Sequence, residues 1–193
     1  MHHFSDRLAK ALALAVEAHD GQRRTKTDIP YIAHPIGVCE IVIANGGSEI
    51  QACAALLHDA VEDGGSEYAE RIRSEIGEDV LSLVLACTDV VPDATGRKGP
   101  WKDRKLRHLA RMADRTQTPD EAILVLSADK LYNMRAIFND AVRIGDEVYQ
   151  RFTARKEGTL WYYHSLTDVL SERRSPLASE LAELLARTER LPS

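Results

Sequence analysis

The sequence predicts an all-α fold in one domain spanning residues 1–193, and three observations carry that expectation. Apolar residues recur every three or four positions along most of the chain, while the period-two alternation of strands is almost absent. Glycine pairs and prolines cut this pattern into helix-length pieces. No repeat, low-complexity segment or linker divides the 193 residues, a length that suits a single core.

Taken in order, Ser5 is placed to cap a first helix whose apolar stripe includes Leu8, Leu12 and Val16. Pro35 opens a second helix carrying Val38, Ile41 and Val42, and Asn45-Gly46-Gly47 stops it. Ser48 starts a third that buries Ala52, Ala55, Leu56 and Ala60 and runs to Gly64-Gly65. Two shorter helices, 66–76 and 79–87, part at Gly77. From 88 to 100 the pattern lapses among Pro92, Gly96, Gly99 and Pro100, a long loop of the kind that often serves function. Helices resume near Trp101, over 119–139 and over 142–170, and Pro176 opens an amphipathic helix that ends near Arg190.

Composition narrows the function classes. A hydrophobic fraction of 44% with 28% charged residues is that of a globular protein rather than a disordered one. The apolar stretch 8–16 is short and broken by Lys10, so no membrane association is expected. A net charge of −5 argues against nucleic acid as a partner but leaves room for a small anionic ligand at a local basic patch. Cys39, Cys53 and Cys87 form no C-x-x-C pair and lie in apolar helical patterns, which reads as reduced core thiols in the cytoplasm.

The chemistry concentrates in His58-Asp59-Ala60-Val61-Glu62-Asp63. Glu62 lies one turn beyond His58 and Asp59, and Asp63 one turn beyond Asp59. This is the last turn of the third helix, so three carboxylates sit at the negative pole of its dipole, at a cost of roughly 0.3–1 kcal/mol each. A divalent cation reverses that sign. Asp129 shares a helical face with Ala122, Val125, Leu126, Tyr132 and Ala136, where a carboxylate needs a partner. Asn133 sits one turn on, and His34 immediately precedes Pro35. Two imidazoles and two carboxylates, His34, His58, Asp59 and Asp129, suit one octahedral Mn²⁺, Fe²⁺ or similar cation better than closed tetrahedral zinc.

Three extended motifs occur in order: Pro30-Tyr31-Ile32-Ala33-His34-Pro35, then Ala55-Leu56-Leu57-His58-Asp59-Ala60-Val61-Glu62-Asp63, then Ala128-Asp129-Lys130-Leu131-Tyr132-Asn133. Together they resemble the HD superfamily of metal phosphohydrolases, and in particular the hydrolase half of Rel/Spo alarmone enzymes and small alarmone hydrolases. The resemblance implies a single HD-type helical domain that removes the 3′-pyrophosphate of guanosine tetra- or pentaphosphate. It implies one divalent cation, most simply Mn²⁺, on His34, His58, Asp59 and Asp129, which activates the attacking water. It assigns proton transfer to Glu62 and Asp63 and a ribose contact to Asn133. The basic segment Gln22-Arg23-Arg24-Thr25-Lys26 departs from the adjacent Arg-Lys pair of the long enzymes. Arg24, Lys26, Lys98 and Arg104 are the expected contacts to phosphates or base.

Plainer roles are expected elsewhere. His19 suits a helix-end cation or a partner behind the site, His108 and His164 the surface or an interface, and Lys105, Arg107 and Arg111, like Arg104, a wet helix face. Trp161, Tyr162 and Tyr163 read mainly as packing. Two other functions fit the same metal set: a phosphatase for an adenine alarmone, a nucleoside monophosphate or NADPH, and a nucleotide sensor without turnover. The acidic pair argues against the sensor.

Overall fold

A computed structural model describes residues 4–88 and 99–192, apart from the side chain of Asp63. These residues form nine α-helices: α1 (Asp6–Ala18), α2 (Ala33–Ala44), α3 (Glu49–Leu57), α4 (Ala60–Arg71), α5 (Glu78–Cys87), α6 (Trp101–Ala113), α7 (Asp120–Ile144), α8 (Arg155–Glu172) and α9 (Ala178–Glu189). A π-type turn, Ile72–Ile76, joins α4 to α5, and a 3₁₀ segment, Gly145–Arg151, joins α7 towards α8. Among the described residues there is no strand, only one bridge between Arg23 and Pro30. None of the helices is long and apolar enough to cross a membrane.

The central helix is α3, which packs against α1, α2, α5 and α7. Its sequence explains the position, since every residue from Ala52 to Leu57 is buried and four of these six are Ala or Cys, so neighbours can approach closely. Ser48 starts it with a reciprocal cap: its hydroxyl accepts from Gln51 N, and Gln51 Oε1 accepts from Ser48 N. Such a cap contributes about 1 kcal/mol. Gln51 Nε2 also donates to Glu121 O at 2.8 Å, which pins the start of α7. Further along, α7 crosses α2 at Gly37, where a Cβ would lie 2.0 Å from the Tyr132 ring. Only glycine permits that approach, and it brings Asp129 beside His34.

Four expectations need correction. The stripe of α1 is turned: Ala11, Leu14 and Ala15 are buried, while Leu12 and Val16 are 38% and 50% exposed. The inward face carries the small Ala11 and Ala15, which lets α1 approach α3 closely. The third helix ends at Leu57, with His58 and Asp59 in a two-residue break before α4. Glu62 and Asp63 therefore open a new helix, where its positive pole favours carboxylates, and the supposed penalty does not arise. Gly65, at φ +70°, still kinks α4 where a stop was expected. Finally, 142–170 is not one helix, because Gly145 at φ +57° ends α7.

The three cysteines are free and buried, as their apolar surroundings suggested.

Candidate metal centre and adjoining cavity

The break between α3 and α4 aims two side chains at α2 and α7. His58 Nδ1 lies 2.8 Å from Ala55 O. A carbonyl oxygen only accepts, so this nitrogen carries the hydrogen, and the neutral ring presents a lone pair on Nε2. That atom is 3.1 Å from Asp59 Oδ2, 3.2 Å from His34 Nε2 and 3.8 Å from Asp129 Oδ1. From α2, His34 Nε2 reaches Asp129 Oδ1 at 3.2 Å and Asp59 Oδ2 at 3.4 Å. Both imidazoles are buried, at 1% and 4% exposure, so their partners have to be inside the protein.

The electrostatics follow from this crowding. Burial pulls the His58 imidazolium down, but the charges of Asp59 and Asp129 and the bonds to Asp59 and Ala55 outweigh it and push the group up to about 9. Burial likewise opposes ionisation of Asp59 and Asp129. The His58 and His34 imidazoles hold Asp59, and Lys130 with the same imidazoles holds Asp129, well below the usual carboxylate range. An imidazole lone pair facing carboxylate oxygens needs positive charge between them, either a proton or a cation. One ligand atom each from His34, His58 and Asp59 lies within 4.8 Å of the others, and with Asp129 beside both imidazoles the chemistry of the set fits a divalent cation of borderline hardness.

Three neighbouring groups hold the carboxylates. Tyr31 Oη donates to Asp59 Oδ2 at 2.7 Å, Lys130 Nζ to Asp129 Oδ2 at 2.6 Å, and Asn133 Nδ2 to Asp129 Oδ1 at 2.6 Å. Such partners orient metal ligands and tune their basicity. Tyr31 and Lys130 were visible in the sequence as neighbours of motif histidine and aspartate, but helical periodicity gave no reason to assign them a role. Arg24 Nη2 donates to Asn133 Oδ1 at 2.6 Å, with its guanidinium 5.7 and 5.8 Å from the Tyr31 and Tyr132 rings.

The cluster forms one wall of a cavity of about 210 Å³ that Glu62, Arg104, Lys105 and His108 also line. It adjoins a second cavity of about 350 Å³, the two sharing Tyr31, Lys105, Lys130 and Asn133. The second has a more apolar wall, with Trp101, Phe152, Tyr162 and Tyr163, and basic Arg24 and Arg151. Thus α6 is not simply a wet face: Arg104 and Lys105 are half-buried, and His108 is buried at 2% exposure rather than on the surface. Tyr162 and Tyr163 both pack and line. His19 is buried against Tyr31 and bonds Gln22, whereas His164 is exposed and pairs with Glu189.

Lys26 points away from the cluster, its Nζ donating to Gln150 O at 3.0 Å, and it lines neither cavity. Lys98 and most of the loop before α6 lie outside the described residues, as does the side chain of Asp63.

Comparison with known proteins gives a consistent picture. The HD domain family profile matches residues 11–160. The guanosine-3′,5′-bis(diphosphate) 3′-pyrophosphohydrolase MESH1 of Xenopus tropicalis is 37% identical over 131 residues, covering 66% of this chain and 68% of that protein. A probable guanosine-3′,5′-bis(diphosphate) 3′-pyrophosphohydrolase of Synechocystis sp. is 32% identical over 130 residues, 67% of this chain but only 16% of that much longer protein. A solved structure described as a metazoan orthologue of SpoT that hydrolyses ppGpp superposes with a TM-score of 0.77 at 26% identity, over the whole of both chains.

Proposed function

From the premise that this chain belongs to the HD domain family and is related to MESH1 and to Rel/Spo hydrolase domains, we propose that it hydrolyses guanosine 3′,5′-bisdiphosphate to release pyrophosphate. The observation that carries the reading is the convergence of His34, His58, Asp59 and Asp129 at one end of two joined cavities. These four residues would hold one divalent cation, Mn²⁺ in our reading. When bound, such an ion lowers the pKa of water and neutralises phosphoryl charge.

The chain's own residues do the rest. Lys130, Lys105 and Arg104 bring positive charge to the cavity beside the cluster, where a 3′-diphosphate needs it. Glu62, one turn beyond His58 and on the same cavity wall, accepts the proton of the attacking water, assisted by Asp63. A bond forms from the water oxygen to the phosphorus attached to the ribose 3′-oxygen. The bond from that phosphorus to the 3′-oxygen breaks, and the 3′-oxygen takes up a proton. Tyr31 and Asn133 hold the carboxylates in place while charge shifts. The nucleoside occupies the second, aromatic-lined cavity, with Arg24 and Asn133 at the junction. The buried free thiols suit a reducing compartment such as the cytoplasm.

A screen of phosphorylated nucleotides with added Mn²⁺, reading pyrophosphate and orthophosphate separately, tests this. Pyrophosphate from the guanosine 3′,5′-bisdiphosphate supports the reading. Orthophosphate from monophosphates or NADPH, without any pyrophosphate, replaces it with the phosphatase alternative. Binding without turnover would mark a sensor.

A further inference from the structure

One face of α7 runs the length of both cavities. Asp129, Asn133, Ala136 and Asp140 fall on it, because eleven residues make just over three helical turns. Asp129 and Asn133 line the cavity of the metal cluster, and Asn133, Ala136 and Asp140 line the second. From Asp129 to Asp140 the axis rises about 16 Å. A nucleotide covers that span from its 3′-phosphorus to the far edge of its base, once a contact is added at each end.

At that far end stands an ion pair. Arg151 Nη1 donates to Asp140 Oδ2, with side-chain exposures of 22% and 27%, and both residues line the second cavity. Arg151 closes the 3₁₀ segment Gly145–Arg151, which Lys26 secures through the Gln150 carbonyl. The pair's bond uses one carboxylate oxygen and one guanidinium nitrogen. A second acceptor and further N–H donors remain for a ligand, side by side and of opposite polarity.

We infer that Asp140 and Arg151 read the base edge of the substrate and select guanine over adenine. This rests on the proposed alarmone hydrolysis, whose nucleoside occupies the second cavity. Guanine presents N1–H and its 2-amino group, both donors, beside the O6 acceptor. The Asp140 carboxylate accepts from the first two and an Arg151 N–H donates to the third. Adenine in the same orientation turns an N1 lone pair towards the carboxylate and a 6-amino donor towards the guanidinium. Both contacts reverse sign, so rejection comes from repulsion as well as from lost bonds. The basic segment before Tyr31 then need not carry the selection, although it differs from that of the long Rel/Spo enzymes.

The test compares kcat/KM for guanosine and adenosine 3′,5′-bisdiphosphate in the wild-type protein and in Asp140→Asn and Arg151→Gln, with Mn²⁺. The wild type should favour guanosine by about 10- to 100-fold, the discrimination a bidentate base contact supplies. Each variant should lose most of that ratio. Because the ratio is taken within one preparation, partial unfolding of a variant cancels. An unchanged ratio in both variants, or a wild type that ignores or prefers adenine, overturns the inference. Should neither compound release pyrophosphate, the functional reading fails on its own, and calorimetric binding of guanosine against adenosine 5′-diphosphate decides the base question. Guanosine preference lost in Asp140→Asn then upholds the pair, whereas equal or undetectable binding of both overturns it.

Discussion

The Arg24 guanidinium donates to Asn133 Oδ1, and the same amide donates through Nδ2 to Asp129 Oδ1, each at 2.6 Å. An arginine from the segment before α2 is thereby connected to a candidate metal ligand through one side chain of α7. Asn133→Ala removes the connection and leaves Asp129 to Lys130 and the His34 imidazole. Loss of such an orienting partner typically weakens metal binding by about 10–100-fold. Titration with Mn²⁺, followed by the electron paramagnetic resonance of the free ion, should show this loss in Asn133→Ala. An unchanged affinity would mean that Lys130 and His34 suffice to orient the carboxylate.

Glu62→Ala and Asp63→Ala should each cut turnover by about 10²–10⁴-fold, the usual contribution of a placed proton-transfer group. Mn²⁺ affinity should stay close to wild type, because the proposed ligands are His34, His58, Asp59 and Asp129. Near-normal rates in both variants would return them to the role of favourable charges at the start of α4.

Stability offers an independent check on how the site is assembled. In Gly37→Ala the new methyl group meets the Tyr132 ring, so α2 and α7 must separate or the ring must move. Overpacking of this kind costs about 1–3 kcal/mol, or several degrees in Tm for a domain of this size. Scanning calorimetry reads it directly. A Tm equal to that of the wild type would show that Tyr132 yields freely and that the close approach does not position Asp129.

The basic residues separate by geometry. Arg104 lines the cavity of the metal cluster, whereas Lys26 spends its charge on the Gln150 carbonyl. Arg104→Ala should raise KM more than it lowers kcat, since it binds ground and transition states alike, and added salt should weaken the wild-type KM in parallel. Lys26→Ala should change KM little and leave its salt dependence as it was. A salt-sensitive loss in Lys26→Ala, with none in Arg104→Ala, contradicts this division of roles.

The helical class and the cluster of His34, His58, Asp59 and Asp129 were legible because both depend on local spacing and on extended motifs. What depends on distant packing was not. Nothing in the α1 pattern told Ala11 from Leu12 as the inward position, since the choice is made by the fit against α3. The break after Leu57 was hidden because no glycine or proline marks it. It becomes visible only with the Ala55 carbonyl in the grip of the His58 ring. His108 looked like one more polar residue on a basic helix, and its burial follows from α6 packing on α8 beside Tyr162. Asp140 and Arg151 lie eleven residues apart on different elements, so neither pointed to the other in the sequence.

The central claim is hydrolysis by attack on the phosphorus that bears the ribose 3′-oxygen. Its most direct test is to incubate guanosine 3′,5′-bisdiphosphate with the protein and Mn²⁺ in ¹⁸O-labelled water and to analyse the products by mass spectrometry. We predict one labelled oxygen in each pyrophosphate released, an equal amount of unlabelled guanosine 5′-diphosphate, and no reaction when a chelator replaces the metal. Labelled orthophosphate without pyrophosphate, or label in the 3′-hydroxyl of the nucleotide, would contradict the account.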